Sequence, residues 1–143
     1  LSFKEPGKST DAGWASRWDN LRVAALCIGI KAYPGGAALG TTVKDAEIIC
    51  EQINMLDRCR AATLIDPKSR RDIYEAARKQ FLEPVSRNPP EMVIIFYAGH
   101  GMGIGHDLFL MPTLAKYEDA DDRKETCISH LEVLTWLKTY VDA

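Results

Sequence analysis

The chain has 143 residues, 46% of them hydrophobic and 27% charged, with a formal net charge of −2 and an isoelectric point near 5.9. That composition gives a globular chain of single-domain size with material for a core, and it excludes general disorder and a broad basic surface for nucleic acid. No apolar stretch approaches the roughly 18 residues of a membrane span.

In chain order, residues 1–20 hold Pro, Gly, Ser and two tryptophans without a period and read as an N-terminal arm. Phe3, Trp14 and Trp18 give it apolar contacts for docking onto the domain or a neighbouring subunit. It lacks the charged start and apolar run of a secretory signal. Arg22 to Ile30, "RVAALCIGI", is a continuous apolar run closed by "YPGG", the pattern of a strand buried on both faces. From Val43 to Leu56, the apolar positions Ala46, Ile49, Ile53 and Leu56 recur at gaps of three and four, one face of a helix. Ala61 to Ile65 is a second strand. Ser69, three residues before Asp72, marks a capped helix start; Ile73, Ala77 and Phe81 share its face, and Pro84 with "NPP" is expected to end it. Glu91 to Tyr97 forms the third strand, and "DLFLMP" a short extended piece. "KYEDADDRKE", residues 116–125, reads as an acidic loop. Ser129 and Glu132 open a final helix with Leu131, Leu134, Leu137 and Val141 on one side, and Trp136 is expected to pack against the sheet.

Strands alternating with helices predict an α/β domain over residues 21–143 whose parallel sheet is covered on both faces. In such sheets ligands bind beyond the carboxyl ends of the strands. In "EMVIIFYAGHGMG" that end of the third strand is His100, between Gly99 and Gly101. The glycines give the backbone angles that side chains forbid and let a substrate approach the main chain. The Gly101 N–H is placed to face a developing negative charge, as one donor of an oxyanion hole. A histidine that merely closes a strand in a glycine-rich turn satisfies the same pattern, and these residues alone leave both readings open.

The ordered segments "RVAALCIGIKAY", "LGTTVKDAE", "MVIIFYAGHG" and "LFLMP" resemble the large-subunit half of the caspase-like cysteine peptidases, over Arg22 to the end of the chain. "YAGHG" closing an apolar strand is the most specific piece. "VKDAE" and "ETCISHLEVLTWL" are closer to paracaspases and metacaspases than to the Asp-cleaving caspases, although Val43 stands where many metacaspases have a second cysteine. The resemblance implies a caspase-like three-layer sandwich with a mostly parallel sheet. Arg22 to Ile30 would be its central strand, between Ala61 to Ile65 and Glu91 to Tyr97. His100 would be the general base of a Cys/His dyad, Gly101 an oxyanion donor, and Asp45 a carboxylate that pairs with a substrate Arg or Lys. Without the family, Asp45 reads as a cap of the following helix.

No cysteine stands in the family's D-x-C setting. Cys27 lies inside a strand and Cys127 ahead of a capped helix, so both are expected to be structural. In caspases the nucleophile follows the histidine by about 50 residues; the sheet is therefore expected to be present only in its N-terminal part, with the nucleophile strand on a continuation or a small subunit. The expected activity is a cysteine endopeptidase acting on proteins or peptides, with this piece inactive alone. The rival is a non-catalytic caspase-like module for protein association. A flavodoxin-like ligand domain lacks the phosphate-cradling spacing in its loops.

Cys27, Cys50, Cys59 and Cys127 show no paired C-x-x-C spacing, which argues against zinc, and buried free thiols fit a reducing, cytoplasmic setting. "YEDADDR" offers oxygens to calcium but lacks the glycine of an EF-hand, so no cofactor or metal is expected. His106 and His130 read as solvated or capping residues.

Overall fold

The structure, a computed structural model, describes residues 21–141. The arm, with Phe3, Trp14 and Trp18, lies outside the described residues.

Strand β1, Val23–Gly29, is the centre of a three-stranded parallel sheet. It pairs on one edge with β2, Cys59–Ile65, and on the other with β3, Met92–Ala98, the order that the resemblance implies. A strand with both edges paired and helices on both faces has no solvated side, which is why its sequence lacks polar alternation. The period of two divides it between two layers. Ala25 and Cys27 meet Ala46 and Cys50 of helix α1, Thr42–Asn54. Ala24, Leu26 and Ile28 face Ile73, Ala77 and Phe81 on the other side. At the end of β1, a Cβ on Gly29 would lie 2.8 Å from Thr42 O and Val43 Cα, so glycine lets the first turn of α1 press onto the strand.

Helix α2, Arg70–Ala77, starts at Ser69, which forms the expected capping box with Asp72. Its end differs from expectation. The helical path continues through a π-helical turn, Arg78–Leu82, into α3, Glu83–Arg87, and passes Pro84 without breaking. Proline has no N–H and crowds the carbonyl four residues back; the wider turn, in which Glu83 N–H reaches Arg78 O, gives it room. Burial of Phe81, Leu82 and Val85 favours the continuation, and the chain turns only at Asn88–Pro90.

A second sheet is absent from the sequence reading. Strands β4, Gly101–Ile104, β5, Asp107–Leu110, and β6, Ile128–Ser129, form an antiparallel sheet in that order. Gly105, at φ +61°, and His106 make the hairpin loop between β4 and β5. The acidic segment is also not wholly a loop. Asp119 caps helix α4, Ala120–Thr126, by accepting from the N–H groups of Asp121 and Asp122 at 2.9 and 2.8 Å.

Helix α5, His130–Val141, begins with the Ser129–Glu132 reciprocal pair, both bonds at 3.2 Å. Its inner face matches the expected row only in Leu137 and Val141. Val133, Trp136, Leu137, Tyr140 and Val141 pack on the core, while Leu131 and Leu134 stay about half exposed. Trp136 packs against Tyr74 of α2 with the rings tilted, centroids 5.0 Å apart. Among the described residues no helix is long and apolar enough to cross a membrane.

Candidate functional site

Because β1 and β3 run parallel, their carboxyl ends open onto one edge, and the segments leaving them meet there. Ile30 N–H still bonds Ala98 O at 2.9 Å; past that point β3 turns through Gly99 and His100 into β4. The loop after β1 folds back over the same edge, held by Asp66 at the end of β2. The Asp66 carboxylate accepts from Lys31 N–H at 2.7 Å and Ala32 N–H at 3.0 Å.

Two tyrosines fix the backbone of His100. Tyr33 Oη accepts from His100 N–H at 2.9 Å and donates to Met111 O at 2.8 Å. Tyr97 Oη donates to His100 O at 2.6 Å and accepts from Met111 N–H at 3.2 Å. Burial pushes the titration of both hydroxyls above the ordinary phenol range, so near neutrality both keep the proton they donate. Gly99 is the contact point. A Cβ there would sit 2.6 Å from Tyr97 Oη and 2.8 Å from Tyr33 Oη. Neither Gly99 nor Gly101 adopts a positive φ, so the glycine before the histidine is required by space rather than by backbone angle, a correction to the expectation.

The imidazole is oriented by the loop after β1. Its Nε2 lies 2.7 Å from Ala37 O, and its ring packs on Tyr33 with centroids 4.4 Å apart. A carbonyl can only accept, so Nε2 carries the hydrogen, and in the neutral ring Nδ1 is left as the basic nitrogen. Beside it lies a pocket of about 250 Å³ with apolar walls from Pro34, Ala37, Met102 and Met111, and with Tyr117 at its rim. Gly101 also lines it. Met111 N–H bonds His100 O at 3.1 Å, which makes the next pair, Gly101 with Leu110, the non-hydrogen-bonded one of the ladder. The Gly101 N–H therefore points away from β5.

Asp45 is exposed in the first turn of α1 rather than in the preceding loop. Its carboxylate accepts from Thr41 Oγ1 at 3.1 Å. It shares the carboxyl edge with His100 but does not line the histidine's pocket. All four cysteines are free, and none lines that pocket. Cys27, Cys50 and Cys127 are buried, and burial pushes their thiols up, Cys27 to about 11 with help from neighbouring Cys50. They are neutral packing residues near neutral pH. His130 Nδ1 accepts from Leu108 N–H at 3.1 Å, and His106 is exposed at the hairpin tip. Among the described residues no three His, Cys, Asp or Glu side chains converge as metal ligands, and the acidic segment's Asp119 serves as a helix cap.

Sequence reasoning missed Tyr33, Ala37, Asp66 and Met111. Ala37 acts through its carbonyl, which no residue identity signals. Tyr97 stood within the quoted "YAGHG", and its hydroxyl, three residues before His100 O, was the one partner open to discovery. No protein-family model matches the chain, and a search of curated proteins finds no match.

Proposed function

We propose that this chain is the histidine-bearing part of a caspase-like cysteine endopeptidase that cleaves after Arg or Lys. The observation that carries the reading is the fixed imidazole. Its Nε2–H is held by Ala37 O, its Nδ1 is left basic, and the outward N–H of Gly101 adjoins it at a strand's carboxyl end. In this reading a thiol on the continuation or on a small subunit gives its proton to His100 Nδ1 as the sulfur attacks the peptide carbonyl. The Gly101 N–H stabilises the oxyanion, and the imidazolium returns the proton to the leaving amine. The exposed Asp45 carboxylate, on the same edge, would pair with the substrate's cation.

The test is made on the complete protein with Arg and Lys peptides. His100→Ala should lower kcat by orders of magnitude with little change in thermal unfolding. Asp45→Asn should weaken turnover of basic peptides far more than alkylation by a small uncharged thiol reagent. Retained activity in His100→Ala, or a preference for Asp peptides, rejects the proposal. One observation favours the rival, a non-catalytic module for protein association: no thiol of this chain lines the histidine's pocket. Absence of a D-x-C cysteine from the continuation would establish that alternative.

A further inference from the structure

At the opposite end of the parallel sheet, the amino ends of β1 and β2 and the turn before β3 enclose a second pocket, of about 360 Å³. It lies about 20 Å from the His100 edge, the length of a seven-residue strand at roughly 3.3 Å per residue. Its volume falls in the usual range for small-molecule sites, roughly 300–1,000 Å³. Three of its lining residues are arginines, Arg22, Arg58 and Arg60, in a chain whose net charge is −2.

Each arginine is placed by a different device. Arg60 leaves β2 and donates through Nη2 to the carbonyls of Asn88 and Pro84, which ties the guanidinium across to the turn before β3. Those bonds use one nitrogen of a group with five N–H donors. Arg22 stands beside Glu91, Nε 3.8 Å from Oε2, with both side chains about half exposed, a contact too solvated to cancel its charge. Arg58 holds a left-handed backbone at φ +60°, where glycine is relaxed and a long side chain is not. Its own carbonyl accepts from Val23 N–H at 3.2 Å, which keeps it at the mouth of the sheet.

We propose that this pocket binds phosphate-bearing anions through Arg22, Arg58 and Arg60. Guanidinium groups match phosphate oxygens in planar, two-bond geometry, and three of them around one concavity suit a dianion better than a single carboxylate. The ligand is either a small free phosphate compound or a phosphorylated side chain of another protein.

The 143-residue chain would be titrated calorimetrically with inorganic pyrophosphate, and separately with a phosphoserine peptide and its unphosphorylated twin. Saturable binding of a phosphate-bearing ligand is expected, weakened about tenfold or more by Arg58→Gly and by Arg22→Gln, as loss of a charge-assisted contact requires. It should be unchanged by Arg71→Gln at an exposed arginine on α2. Thermal unfolding of Arg58→Gly and Arg22→Gln is measured alongside, and loss of binding in a variant that melts with the parent reports the guanidinium. Binding of the phosphopeptide but not its twin assigns the site to a protein partner; binding of pyrophosphate alone assigns it to a small ligand. No saturable binding of either, or equal weakening by Arg71→Gln, overturns the proposal.

Discussion

Gly99 has no room for a side chain, because the two tyrosine hydroxyls that hold His100 close over its Cα. Those hydroxyls are pinned by their own hydrogen bonds and cannot swing aside cheaply. Gly99→Ala should therefore destabilise the fold by about 1–3 kcal/mol, the usual cost of forcing an atom into a packed site. Thermal unfolding checks it, and an unchanged melting temperature would mean that the tyrosines are not locked. Cys27 leads to a pH prediction. Its folded thiol titrates at about 11, while an unfolded cysteine titrates near 8.5. The folded state thus keeps a proton that the unfolded chain releases. The stability tied to that proton is complete below about pH 8.5 and is lost as the pH rises toward 11. Urea midpoints across this window should fall with pH, and Cys27→Ala should flatten part of the fall. Tyr33, buried, and Tyr97, partly buried, add a loss of the same sign above the ordinary phenol range near 10.

At the scale of elements, the features legible in the sequence are those fixed by neighbours within a few residues. The Ser69–Asp72 and Ser129–Glu132 caps are both present, because a cap is a bond between residues three apart. The central strand was legible because burial on both faces leaves an unbroken apolar run, and its two neighbours because their runs stay largely apolar. What failed depended on distant partners. Strands β4 and β6 have four and two residues, and the glycine-rich "GMGI" has a pattern only because Phe109 and Leu110 lie opposite it. Half of the inner face of α5, Leu131 and Leu134, was misread for a similar reason. Trp136 finds Tyr74 and Tyr140 joins the core, leaving Leu131 and Leu134 outside, a choice made by α2 and α3 rather than by leucine spacing. The candidate histidine and Gly101 were legible as a motif, whereas the carbonyl that orients the ring was not. Helix α4 is a seven-residue helix with no buried residue, so its cap matters more than its packing. Asp119→Ala should cost it about 0.5–2 kcal/mol. The expected result is faster amide exchange over Ala120–Thr126 with the global melting temperature nearly unchanged; a large global loss would show that α4 supports the core.

Across the whole molecule, β3 is, with β2 at the other side, one of the two edge strands of the parallel sheet among the described residues. Ile94 on it is 37% exposed, and Met92, Val93, Leu134 and Leu137 line an adjoining groove of about 430 Å³. An apolar strand with one unpaired edge invites pairing with another chain, and a lysine on it opposes that. The isolated 143-residue chain is expected to self-associate, and Ile94→Lys to shift it toward monomer, as read by sedimentation. A monomeric parent would mean that the edge is covered by other means. The tyrosine clamp on His100 carries a further consequence, for the order of folding. It joins Tyr33, Tyr97 and Met111, separated by 64 and 78 positions along the chain in its longest links. The register of β1 with β3 closes loops of similar length and is what brings Tyr33 and Tyr97 together, so the clamp is expected to close after that register is set. Tyr97→Phe should accordingly speed unfolding and leave the refolding rate nearly untouched, a φ-value near zero in stopped-flow measurements. The imidazole would then take up its fixed orientation late, and a newly made chain would hold a finished sheet before its histidine was clamped.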